Sequence, residues 1–260
     1  MTPEKTAKPP DFRKIGCREC LRAADLGFDF RMALQPIVNT RTGELFAQEA
    51  LVRGVNGEPA GVVFESVNPG NRYRFDQSCR VKAIELAARL DIEGYLSINF
   101  MPNAVYRPEL CIRTALAAAE EYGFSKDRII FEITESEQVD DIEHLRNIIR
   151  HYQSIGFLTA IDDFGAGFSG LNLLADFRTD LVKLDLALVR DIDNDRARQA
   201  IVRGVLGVCE ELGARVIAEG VETVAEWKCL EDMGIELFQG FLFARPAFEA
   251  QAEIYWPERS

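Results

Sequence analysis

Gly156-Phe-Leu-Thr-Ala-Ile-Asp-Asp-Phe-Gly-Ala-Gly167 follows a run over Asp141–Ile155 with apolar residues three to four apart, and holds a short apolar stretch, Thr159–Asp162, that ends in paired acids. A glycine straight after a helical run and straight before a strand is the expected left-handed residue past a helix end. The same order recurs at Gly123, Gly213 and Gly234. Helix, glycine, strand, repeated, is the pattern of α/β folds with parallel strands. Working outward, strands are expected at Met32–Val38, Glu44–Val52, Tyr95–Phe100, Ile129–Ile133, Thr159–Asp162, Leu181–Leu184, Arg215–Ala218 and Leu237–Phe241. Helical spacing marks Gln77–Leu90, Glu109–Tyr122, Asp141–Ile155, a short piece near Gly170–Ala175, Arg196–Leu212 and Val224–Met233. The first two strands have no helix between them; Asn39-Thr-Arg-Thr-Gly43 reads as a hairpin loop.

Five of the strand-like runs are read as ending in an acid or amide: Glu49, Asn99, Glu132, the pair Asp162-Asp163, and Glu219. A barrel of parallel strands points all its strand C-termini at one mouth, so these groups would converge there. Carboxylates with one amide oxygen are hard ligands, suited to Mg²⁺ or Mn²⁺ rather than to zinc.

The 260 residues, 47% hydrophobic and 28% charged, suit one large domain, and a (β/α)₈ barrel is the candidate of that size. The expected division is a tail with a lead-in helix around Arg18–Leu26 in residues 1–28, then a barrel domain over 29–260. The N-terminal MTPEKTAKPP has lysines with no apolar stretch after them, and no apolar run approaches membrane length, so a soluble cytoplasmic protein is expected. A net charge of −12 argues against a surface for duplex nucleic acid or an anionic membrane, which would need a basic stripe. It does not exclude a phosphate substrate, because bound divalent cations reverse the local sign. Cys79, Cys111, Cys209 and Cys229 stand alone in helical or apolar patterns, as buried thiols of a reducing compartment do. Cys17-x-x-Cys20 has metal-like spacing but no second Cys/His pair to complete a zinc site, so a structural role is expected.

His144 and His151 share one predicted helix face, expected at the surface and away from any strand end. General acid or base chemistry therefore falls to carboxylates, a lysine or metal-bound water. Lys183, inside the apolar strand Leu181–Leu184, is the lysine to examine, since a half-buried ammonium needs carboxylate partners. Gly165-Ala-Gly-Phe-Ser-Gly170 reproduces the spacing of a dinucleotide-binding turn, with Asp185 twenty residues on. The acid pair just before it would repel a pyrophosphate, which disfavours that reading and favours a mobile loop over a metal site.

Gln35-Pro-Ile37, Glu49-Ala-Leu51 with Arg53, Asn99, Glu132-Ile-Thr-Glu135-Ser136, Asp162-Asp-Phe-Gly-Ala-Gly167, Lys183-Leu-Asp185, Ala218-Glu-Gly-Val-Glu222 and Gln239-Gly240 occur in this order between about residues 30 and 248. Together they resemble the EAL family of cyclic di-GMP phosphodiesterases. The resemblance implies a TIM-like barrel whose first strand is antiparallel, and a two-metal hydrolysis of cyclic di-GMP to linear pGpG with two Mg²⁺ or Mn²⁺ ions. It assigns Glu49, Asn99, Glu132 and Asp162 to one metal, and Asp162, Asp163 and, directly or through water, Glu219 to the other. Lys183 matches the lysine that orients or deprotonates the attacking water, and Gln239 a residue beside that water. Glu135 matches the anchor of the glycine-rich loop, and Gln35, Leu51 and Arg53 match substrate-holding positions. Dimerisation is also implied. Two departures, Gly54 where an aromatic is common and Phe168-Ser-Gly170 where Tyr-Ser-Ser is common, touch base stacking and the loop but not the metal set. The competing reading from another class is a non-catalytic cyclic di-GMP receptor or interaction module on the same barrel, which retention of the ligand set disfavours.

Overall fold

The structure, a computed structural model, describes residues 26–105, 107–134, 141–167 and 170–258. The strands are β1 (Arg31–Asn39), β2 (Glu44–Arg53), β3 (Tyr95–Asn99), β4 (Ile129–Thr134), β5 (Leu158–Phe164), β6 (Leu181–Leu184), β7 (Arg215–Ala218), β8 (Leu237–Phe238) and β9 (Ala247–Phe248). The helices are α1 (Ala60–Phe64), α2 (Arg72–Arg89), α3 (Pro108–Cys111), α4 (Arg113–Tyr122), α5 (Ile142–Ser154), α6 (Gly170–Asp176), α7 (Leu186–Val189), α8 (Arg196–Leu212) and α9 (Val224–Asp232).

Strands β2 through β8 pair in sequence order, each parallel to the next. β1 closes the ring by pairing antiparallel to both β2 and β8, and β9 adds to β1 at Ala33 and Leu34. The fold is thus a closed eight-stranded TIM-like barrel with an antiparallel first strand. The β1–β2 hairpin turns through Asn39, whose carbonyl accepts the Gly43 N–H at 2.9 Å and whose side chain accepts the Arg41 and Thr42 N–H groups. The glycines at 123, 156, 213 and 234 all have positive φ, as expected past helix ends.

Side chains alternate faces along a strand, and the barrel interior shows it as two layers. The lower layer is apolar, with Ile37, Ala47, Ile130, Ala160, Leu181, Ile217 and Leu237 in one cluster. Moving two residues toward the mouth turns Ala47 into Glu49, Ile130 into Glu132, Ala160 into Asp162, Leu181 into Lys183, Ile217 into Glu219 and Leu237 into Gln239. β1 runs the other way, so its polar residue, Gln35, precedes Ile37, and it faces Glu49 across the ladder. The apolar layer supports the polar one. Outside the barrel, two larger clusters bury the sheet against the helices, one around Phe75, Phe100, Phe131 and Tyr152, the other around Val202, Trp227, Phe238 and Phe243.

Several boundaries differ from the sequence expectation. β2 does not end at Glu49; it runs on through Arg53 because β1 pairs with it along its whole length. β8 stops at Phe238 rather than Phe241, since Gly240 turns the chain hard against Val221. The expected helix over Glu109–Tyr122 is two pieces, α3 and α4, and α2 starts at Arg72 instead of Gln77. α1, α7 and β9 were not expected. The lead-in helix, apart from Leu26, and Cys17 and Cys20 lie outside the described residues. Cys79, Cys111 and Cys209 are buried, and Cys229 is half-buried. Among the described residues, no helix is long and apolar enough to cross a membrane.

Candidate functional site

Lys183 is wholly buried inside the barrel. Its Nζ lies 2.8 Å from Glu132 Oε2, 2.7 Å from Glu219 Oε1, 2.9 Å from Asp162 Oδ1 and 3.3 Å from Glu49 Oε2. These carboxylates overcome the burial that would otherwise discharge the amine and raise its pKa well above the ordinary lysine value. Asp163 adds a fifth carboxylate at the edge of the group. Five carboxylates around one ammonium leave a large excess of buried negative charge. Burial, opposed by Lys183 and reinforced by Glu49 and Asp162, pushes the Glu132 carboxyl up to about 8. Burial likewise drives Glu219 well upward, and burial with the neighbouring Asp162 and Asp185 takes Asp163 to about 6. Without further cations the cluster tends to collect protons.

The backbone explains how two consecutive aspartates reach one site. Neighbours on a strand point to opposite faces, but the β5–β6 register shifts between Ile161 and Phe164, and Asp163 takes a left-handed φ of 54°. Such a bulge re-aims side chains, and aspartate is among the few non-glycine residues that accept the conformation. Glu49, Glu132 and Asp162 each bring an oxygen within 4.8 Å of the others, and so do Asp162, Asp163 and Glu219. Asp162 belongs to both groups. Its Oδ1, though close to Lys183, is buried with no hydrogen-bond partner. An all-oxygen donor set with uncompensated charge fits a hard divalent cation.

Neutral groups tie the acids down. Asn99 Nδ2 donates to Glu49 Oε1 at 2.8 Å, and Gln239 Nε2 donates to Glu49 Oε2 at 2.8 Å. Ser97 Oγ donates to Glu132 Oε1. Gln239 is carried close to the β7 loop because Gly240 meets Val221 backbone to backbone; a Cβ there would stand 2.0 Å from the Val221 carbonyl oxygen. Gln35 lines the cleft and donates to the Ala244 carbonyl at 3.2 Å. Leu51 and Arg53 lie on the Glu49 face of β2, nearer the rim; both are half-buried, and Arg53 Nη1 donates to the Val52 carbonyl at 2.7 Å. Neither lines the cleft itself. Glu135, Phe168 and Ser169 lie outside the described residues. Both histidines are half-buried on α5, His144 Nε2 meets the Val105 carbonyl, and neither lines the cleft.

The cleft above the acids, ≈ 340 Å³, is also lined by Asp185, Leu186, Gly220, Glu222, Gly240 and Phe241. Asp185, Gly220, Glu222 and Gly240 stand in the motifs quoted above without an assigned role, whereas Leu186, Phe241 and Ser97 were missed. Ser97 had a usable signal, standing two residues before Asn99 and hence on the same strand face.

Comparison with known proteins agrees with this geometry. The family model described as the EAL domain matches residues 18–246. The blue light- and temperature-regulated antirepressor BluF of Escherichia coli is 32% identical over 228 residues, which is 87% of this chain and 57% of BluF. The cyclic di-GMP phosphodiesterase PdeR of the same organism is 40% identical over 140 residues, 52% of this chain and 21% of PdeR. The chain thus spans only part of the length of these relatives. Among solved structures, a standalone versatile EAL protein from Vibrio cholerae O395 in its c-di-GMP-bound form has 54% identity and a TM-score of 0.86, covering 89% of this chain and 98% of its own. BlrP1 of Klebsiella pneumoniae, in a manganese and cyclic di-GMP complex, has 38% identity and a TM-score of 0.83, covering 87% of this chain and 58% of its own. The barrel with its inverted first strand, the acid cluster at its mouth and the match over residues 18–246 lead to one conclusion: the chain belongs to the EAL domain family.

Proposed function

We propose that the chain is a metal-dependent phosphodiesterase that hydrolyses cyclic di-GMP to linear pGpG and so lowers the level of that messenger. The observation that carries this reading is the charge imbalance at the mouth. Two divalent cations would bring the five carboxylates and one ammonium to neutrality, and the carboxylates fall into two groups that share Asp162.

In this reading Glu49, Asn99, Glu132 and Asp162 hold one Mg²⁺ or Mn²⁺, and Asp162, Asp163 and Glu219 hold the second. When bound, such ions supply positive charge for the phosphate and its leaving oxygen, and acidity for the attacking water. Lys183, kept protonated by its neighbours, orients that water by donating a hydrogen bond, with Gln239 beside it. Arg53 offers planar donors to a phosphate at the rim, and Gln35 and Leu51 hold the rest of the substrate. Glu135 anchors the glycine-rich loop that follows Asp163. The same reading has the protein at work in the cytoplasm as a homodimer, with neither duplex nucleic acid nor membrane as a partner; the net charge of −12 supports the last two points.

A non-catalytic receptor or interaction module is the second reading, favoured by the likeness to the antirepressor BluF. It gives no reason to gather four carboxylates onto one buried lysine with a fifth at their edge. The deciding experiment is incubation of the purified chain with cyclic di-GMP and Mg²⁺ or Mn²⁺, with and without EDTA, and chromatography of the products. Folded protein that yields no metal-dependent linear dinucleotide overturns the phosphodiesterase reading.

A further inference from the structure

On the far side of the sheet from the site lies a buried charged pair that the proposed chemistry does not use. Asp76 and Arg80, one turn apart on α2, are 3% and 0% exposed. Arg80 Nη2 is 2.8 Å from Asp76 Oδ2, and Arg80 Nη1 donates to Tyr152 Oη at 2.9 Å. The guanidinium lies over three rings, with centroids at 5.4 Å for Phe100, 5.1 Å for Phe131 and 5.8 Å for Tyr152. Asp76 Oδ1 accepts the Met101 N–H at 2.9 Å, and Asp76 Oδ2 accepts Gln77 Nε2 at 3.0 Å.

The partners of this pair are informative. Phe100 directly follows Asn99, and Phe131 directly precedes Glu132. Adjacent strand residues face opposite ways, so the rings beneath Arg80 are the outward counterparts of the inward Asn99 and Glu132. The two strands are also joined to each other here, by the Phe100 N–H on the Glu132 carbonyl at 3.1 Å and by the edge contact of Phe100 on Phe131 at 5.9 Å. Met101, held by Asp76, is the second residue beyond Asn99. A buried ion pair is a poor stabiliser compared with apolar filling, because desolvating two charges offsets their attraction. Geometry is what it supplies: a planar cation lies flat on aromatic faces, and a carboxylate fixes the direction of a backbone N–H.

We infer that Asp76 and Arg80 are positioning residues for the acid cluster: from outside the barrel they hold the end of β3 and the Phe131–Glu132 step of β4, and so set the separation of Asn99 and Glu132 within it. The inference rests on the reading above that these residues hold a divalent cation. Groups that orient ligands from behind are worth about ten- to a hundredfold in metal affinity.

The test is Mn²⁺ titration of the full chain by calorimetry, with fold checked in EDTA by circular dichroism and a cooperative melt. The double variant Asp76→Leu/Arg80→Met replaces the pair with apolar filling; it should keep the fold and bind Mn²⁺ about tenfold more weakly or worse. Arg80→Lys keeps the charge beside Asp76 but loses the planar face on Phe100 and Phe131, and it too should weaken Mn²⁺ binding. Wild-type affinity in a folded double variant overturns the inference. If the double variant does not fold, Arg80→Lys decides, and unchanged Mn²⁺ affinity there overturns it. A wild-type chain that binds no Mn²⁺ removes the functional reading and this inference together, an outcome distinct from either of those.

Discussion

Replacing Lys183 by methionine removes one charge while keeping a side chain of similar length in the barrel. The ammonium sits 2.7–3.3 Å from oxygens of four carboxylates. Breaking a buried ionic contact of this kind costs about 3–5 kcal/mol, because the remaining charges are left uncompensated. The acids have an escape: they take up protons. Glu132 stands at about 8 even with the lysine present, and loss of the lysine raises it further. A carboxylate whose folded pKa is raised binds protons in the folded state that the unfolded state has released, so stability falls as pH rises toward the folded value. The variant holds more such protons than the wild type. Its deficit should therefore be small near about pH 6 and approach the full figure above about pH 8. For a chain of this size that corresponds to a Tm lower by roughly 6–20 °C. Melting both proteins in EDTA across this range measures the effect, and excess Mn²⁺ should narrow the gap by supplying positive charge to the same oxygens. A metal-free variant as stable as wild type at the alkaline end, with no pH dependence in the difference, would refute the view that Lys183 counterbalances the cluster.

Glu49→Ala, Asn99→Ala and Asp162→Ala should each lose several kcal/mol of transition-state stabilisation in kcat/KM, with strongly non-additive double variants, since the ligands act as a unit; near-normal turnover by Glu49→Ala at saturating metal contradicts the assignment. Metal binding near neutral pH should release at least about one proton, because Glu132, at about 8, and Glu219, also driven upward by burial, must ionise to serve as ligands; calorimetry in buffers of different ionisation enthalpy counts the protons, and a count of zero contradicts the protonated cluster. Arg53→Ala should raise KM far more than it lowers kcat, in keeping with a phosphate-holding role at the rim; the opposite split would reassign it to the chemistry. Glu135→Ala should lose activity at low Mg²⁺ and recover part of it as Mg²⁺ rises, whereas Asp162→Ala should not recover; identical metal dependence of Glu135→Ala and wild type ends its proposed role as loop anchor.

The barrel was legible because its grammar is local. Gly156 follows one helix and Leu158 opens the next strand two residues later, and similar punctuation recurs along the chain. Elements without a full period were not legible: α1, α7 and β9 have five, four and two residues, too few to show spacing. Glu49 was misread as a strand end because the length of β2 is set by its pairing with β1, a contact between strands that no window of sequence displays. At the site, Lys183 stood out as a charge inside an apolar strand. Arg80 did not, since an arginine among Asp76, Gln77 and Lys82 on a helix reads as a solvated face until the rings of Phe100 and Phe131 are brought over it by the fold.

The antiparallel first strand has a consequence for where the chain enters the domain. In a barrel whose strands are all parallel, the first strand begins on the face opposite the site. Here β1 begins beside Arg53, at the mouth, and descends to Asn39 at the floor. β9 pairs with the upper half of β1, through Ala33 and Leu34, which returns the later chain to the same face. A module spliced on ahead of Phe30 would therefore be delivered to the rim of the cleft. It could bear on the cleft by direct contact, with no signal having to cross the apolar layer below.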